Sequence, residues 1–165
     1  MKKFLLIPLM LLTVMSMAAC GGSDDDPVMP ETPEQPEQPE QPETPITSMK
    51  LNITVGSRTI TATMEDNAAA RDFLSRLPLE VTLNDYNNIT EKIFYPSPAL
   101  TTAGVIRGCS PAPGDITIYV PWGNVAIFCK NWSRSNDLIK IGRIDGDGIG
   151  VLNVVGDIAV KFERQ

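Results

Sequence analysis

This 165-residue chain contains no histidine, and its candidate chemical groups are two cysteines, an acid, two arginines and a few aromatic side chains in the part that looks foldable. That absence removes Ser-His-Asp and Cys-His relays, and with them most zinc and copper sites. No glycine-rich loop of the phosphate-cradling kind follows a strand and opens a helix. DGDGIG at 145–150 begins like a calcium loop, but its fifth position is Ile149 and its twelfth is Gly156, where oxygen-bearing side chains are needed. The stretch is therefore expected to be a turn between strands, and neither a metal nor a cofactor is expected. Cys109 lies in the turn-rich GCSPAPG and Cys129 shares a predicted strand face with Val125 and Ile127. A disulfide between them and two free thiols both stay open, because the geometry decides. Large amphipathic residues beside prolines and turns often present contact area. On that ground Tyr95 in EKIFYPSP and Trp122 in YVPWGN lead a candidate binding surface, with the acid Glu91 and the strand-associated cations Arg58 and Arg107 as its charged members.

These residues fall in the last two thirds of the chain, and composition separates that part from the rest. Residues 46–165 hold twelve Lys+Arg against twelve Asp+Glu, so the excess acid belongs to the first third, at Asp24, Asp25, Asp26 and five glutamates from Glu31 to Glu43. A neutral domain with no basic face excludes a nucleic-acid partner. Prolines at 27, 30, 33, 36, 39, 42 and 45 keep a strict period of three. That period matches the polyproline II helix and predicts a disordered but stiff Pro/Glu/Gln stalk with a reach of about 60 Å. Ahead of it, Lys2 and Lys3 precede the apolar run Phe4 to Val14, the layout of a secretory signal.

From Met49 the apolar residues alternate. Leu51, Ile53 and Val55, then Gly56-Ser57, then Ile60, Ala62 and Met64 predict a hairpin with a type II′ turn. Asp66 or Asn67 can cap a helix whose Ala70, Phe73, Leu74 and Leu77 share a face, and Pro78 stops it. Further strands are expected over Leu79 to Leu83, near Lys92 to Tyr95, near Val105 to Arg107, over Asp115 to Val120, Val125 to Lys130, Leu138 to Ile144 and Ile158 to Phe162. Many short strands with one clear helix predict a mainly β, closed barrel with the helix over an end, and room for a second short helix.

Two resemblances sharpen these expectations. DNAAARDFLSRLPLEVTLNDY, EKIFYPSPAL, PGDITIYVPWGNVAIFCKNW and LIKIGRI, in that order, resemble the small prokaryotic cyclophilin-like domain family over Lys50 to Arg164. The resemblance implies an eight-stranded, closed cyclophilin-like barrel with a helix packed over an opening. It does not imply prolyl isomerisation, since the F-H-R and G-S-Q-F-F stretches of catalytic cyclophilins are missing and no motif aligns Arg58 or Arg107 with the catalytic arginine. Ala18-Ala19-Cys20 resembles the lipobox of bacterial lipoproteins, with Met17 where leucine is more usual, which implies lipid attachment at Cys20. GGSDDD resembles the acidic signal that sends some lipoproteins across the outer membrane. The expected organisation is a signal peptide at 1–19, a lipidated and acidic stalk at 20–48, and the barrel at 49–165. The expected place is the outer face of the outer membrane, with the periplasmic face as the alternative. The expected role is binding a peptide, protein or glycan, with a divergent envelope prolyl isomerase as the alternative.

Overall fold

A computed structural model describes residues 48–165. The expected signal peptide, Cys20, the three aspartates and the stalk up to residue 47 lie outside the described residues. Eight antiparallel strands close on themselves: β1 (Lys50–Val55), β2 (Arg58–Met64), β3 (Leu79–Tyr86), β4 (Glu91–Phe94), β5 (Asp115–Tyr119), β6 (Asn124–Phe128), β7 (Leu138–Ile144) and β8 (Ile158–Arg164). Around the barrel they run β1-β2-β7-β5-β6-β4-β3-β8. The first hairpin turns where Val55 meets Arg58, and Gly56 takes φ +57°, the left-handed conformation its turn demands. Between β2 and β7 the backbones approach closely at Gly142, where a Cβ would meet the Met64 sulfur at 2.6 Å and the Thr63 carbonyl at 3.0 Å.

Period-two alternation sends Leu51, Ile53, Ala62, Leu83, Phe94, Ile116, Ile118, Val125, Ile127, Ile139, Ile141, Val160 and Phe162 into the barrel as one apolar core. One end is covered by α1 (Ala68–Ser75), whose N-cap Asn67 accepts from the Ala70 amide at 2.9 Å. Its Phe73 packs edge-on to Phe162 with ring centroids 5.4 Å apart and tilts against Phe94 at 6.3 Å. The other end is closed by the segment leading from β7 to β8. It contains a single 3-10 turn (Gly148–Val151) where DGDGIG predicts a plain turn, and it places Leu152 in the core.

The strand expected near Val105 to Arg107 does not exist. Each of the eight strands already has two neighbours, so the closed sheet has no free edge for a ninth. The segment is a loop on the outside, with Ile106 90% exposed. β3 runs three residues further than expected, to Tyr86, because it pairs with β8 in its first half and with β4 in its second.

Candidate functional site

β6 is buried along its whole length, which no half-solvated strand can be. Val125 and Ile127 face the core, so Asn124, Ala126 and Phe128 face outward, yet they are only 2%, 0% and 2% exposed. On β4, Phe94 faces inward and Ile93 outward, and Ile93 too is buried. Ile93, Ala126, Phe128 and Leu138 form a second apolar cluster on the outer surface of the barrel, joined by Cys109 and Tyr119.

Aromatic side chains cover part of this outer floor. Trp122, at the tip joining β5 to β6, stands edge-on to Tyr119 of β5 at 5.3 Å and to Tyr86 of β3 at 5.7 Å. In the order β5-β6-β4-β3, a ring touching both must pass over β6 and β4. Trp122 is half-exposed and Tyr86 exposed, so the same arch offers its upper side to solvent. Tyr95, exposed, continues the outward row of Ile93 one step past the Phe94–Val125 pair and so stands level with Asn124. Glu91 continues that row the other way, opposite Phe128 and Tyr86. Burial pushes its carboxyl above the usual range, as expected for an acid at the edge of an apolar floor. Beneath the cover, the side-chain oxygen Oδ1 of Asn124 is buried and has no hydrogen-bond partner.

Three of the five binding-surface residues named from sequence, Glu91, Tyr95 and Trp122, therefore share one face. Arg58 does not join them. It is exposed at the tip of the β1–β2 hairpin, and in the ring of eight strands β1 and β2 stand opposite β6 and β4. Arg107 is exposed on the outer loop that leads to Cys109, and no hydrogen bond or ion pair among the described residues fixes its side chain. Tyr86, Asn124 and the floor residues were missed by sequence reasoning. The signal for them was the unbroken apolar run VAIF, which a strand buried on one face only does not need.

Cys109 and Cys129 are free thiols. Burial raises both above the ordinary cysteine range, at Cys109 with help from nearby Asp115, which makes them weak nucleophiles at neutral pH. A separate groove of about 500 Å³ lies between the start of α1 and the 104–109 loop. Its cation Lys140 is held by Asp115 at 3.0 Å and faces Glu65 at 3.9 Å, so the groove holds no free charge of that sign. Among the described residues no group of three His, Cys, Asp or Glu side chains is placed to hold a metal ion.

The sequence matches the Cyclophilin-like family over residues 53–163. The fold is similar to that of a hypothetical protein from Archaeoglobus fulgidus solved in solution, with a TM-score of 0.55 at 20% identity, over 72% of this chain and 95% of that one. No curated protein matches the chain.

Proposed function

Because the chain belongs to the Cyclophilin-like family, we propose that it uses the barrel as a non-catalytic recognition module, with the outer face of β3, β4, β6 and β5 as its binding face. The observation that carries this reading is the arch of Trp122, Tyr86 and Tyr119 over an apolar floor on the outside of the barrel. Exposed aromatic anchors over desolvated apolar surface are what recognition hot spots are made of. A peptide segment of another protein suits the face better than a glycan. A sugar brings several hydroxyls, whereas this floor offers one unpartnered acceptor, Asn124 Oδ1, with Glu91 at its edge. For the isomerase alternative Arg58 stands on the opposite side of the barrel, which leaves Arg107, on the loop leading to Cys109, as its one remaining arginine of the two.

The same reading includes an address. The lipobox-like Ala18-Ala19-Cys20, the aspartates 24 to 26 and the proline ladder support a barrel tethered by lipid at Cys20 to the outer membrane and raised on its outer face. Multiple acyl chains are what stable anchoring requires.

Immobilised short peptides, with immobilised glycans as a second arm, test the binding role on the full chain. Peptide binding is expected, and Trp122→Ala should weaken it roughly thirtyfold, the loss of one hot-spot residue worth about 2 kcal/mol. Binding to glycans alone would replace the peptide with a sugar, and binding to neither array would remove the recognition role.

A further inference from the structure

The cover over the outer floor is incomplete in one chemical respect. Asn124 is 2% exposed and its Oδ1 lacks a donor, although an indole, which carries an N–H donor, belongs to the tip immediately before it. A cover built only for stability would satisfy that oxygen or replace the asparagine with an apolar residue, because a buried acceptor left unpaired opposes folding.

The tip that carries the indole is fixed at its foot and lightly held beyond it. Val120 donates to Asp137 O at 2.9 Å and packs on the main core, whereas past it the amides of Trp122 and Gly123 reach only Tyr119 O, at 3.2 and 2.9 Å, and Val120 O, at 3.3 Å from Gly123 N. Gly123 takes φ +67°, and a Cβ there would press on Ala99 at 3.3 Å. The strand ladder between β5 and β6 starts only at the Tyr119–Asn124 pair, so the tip can turn without unpairing it.

We infer that this tip is a lid on the recognition face, closed in the present structure, and that a bound peptide opens it by displacing Trp122 from over β6 and β4. The peptide's apolar side chain then takes the place the indole holds between Tyr119 and Tyr86, and a backbone N–H of the peptide supplies the donor that Asn124 Oδ1 lacks. The inference rests on the outer face being the recognition face, and adds to it that the unliganded face is covered by the protein's own side chain.

The test uses the full chain and an apolar fluorescent dye, 8-anilinonaphthalene-1-sulfonate, as the probe for an uncovered floor. Trp122→Ala should raise dye fluorescence at saturation at least threefold over the parent, and adding Ala126→Arg, which fills the floor, should return it to the parent level. Circular dichroism and cooperative unfolding establish that each variant is folded. Where Trp122→Ala fails that check, Tyr86→Ala, which removes the far support of the arch, carries the same expectation. Folded variants that bind no more dye than the parent would overturn the lid, as would a gain that survives Ala126→Arg. The two readings fail separately. Peptide binding at this face without a dye gain refutes the lid alone, and a dye gain in a protein that binds no peptide refutes recognition by this face.

Discussion

Glu91 and Lys92 are consecutive in β4 and point to opposite sides of the sheet, so one strand carries two different electrostatic problems. Glu91 faces the outer floor, where burial raises its carboxyl pKa and the ionised form at neutral pH works against folding. A carboxyl whose folded pKa is raised destabilises above the ordinary glutamate value of about 4.3, and that penalty vanishes once both folded and unfolded states are protonated. Glu91→Gln should therefore raise the thermal midpoint at pH 7 and have little effect near pH 3.5. A midpoint shift of the same size at both pH values would show that packing, not charge, governs the site. The residue was legible in the sequence as a lone acid, but its setting was not, since only the pairing of β4 with β6 brings it opposite Phe128.

At the scale of elements, Lys92 holds together the end of the barrel opposite α1. It faces inward, fully buried, and its Nζ donates to the carbonyls of Val154 at 2.6 Å and Gly156 at 2.7 Å, with the Asp85 carboxylate 3.3 Å away. Asp85 in turn accepts from the amides of Gly156 and Ile89, both at 2.9 Å, and these bonds, the Gly156 one foremost, hold its carboxyl below the usual range. The pair thus ties the β3–β4 turn to the segment entering β8, and three consecutive positive φ angles at Asn87, Asn88 and Ile89 show how sharply that turn bends. Lys92→Met should cost about 3 kcal/mol in urea unfolding, because it leaves two carbonyls without their donor and takes the cation away from Asp85, which keeps only its two amide bonds. A loss under about 1 kcal/mol would mean that the clamp is not what closes this end. Local pattern made several elements readable: the first hairpin, the helix with its Asn67 cap, and most strands follow from alternation and turn residues. The burial of Lys92 is not legible in the sequence, because nothing local tells a lysine which face of a closed sheet it will occupy. Val105 to Arg107 failed for the converse reason, since a β-prone triplet forms a strand only where a partner edge is free.

At the scale of the whole molecule, charge and composition divide the chain into an acidic first third and a neutral barrel, and this division is the part most fully legible in the sequence. The proposed address predicts that Cys20→Ser moves the protein from the membrane fraction to the soluble or unprocessed pool. Retention of the processed variant in the membrane at wild-type levels would argue against a lipid tether. The binding face, in contrast, is a property of closure: it draws on four strands whose residues become neighbours only when β5, β6, β4 and β3 align, and no motif spans them. The central claim, that this outer face is where the protein recognises its partner, is tested most directly by nuclear magnetic resonance on the isotope-labelled full chain, titrated with the tightest peptide from the array. The account predicts that the largest shift changes gather at Tyr86, Ile93, Tyr95, Trp122, Asn124 and Ala126. Changes centred instead on β1, β2 and β8, across the barrel, would contradict it.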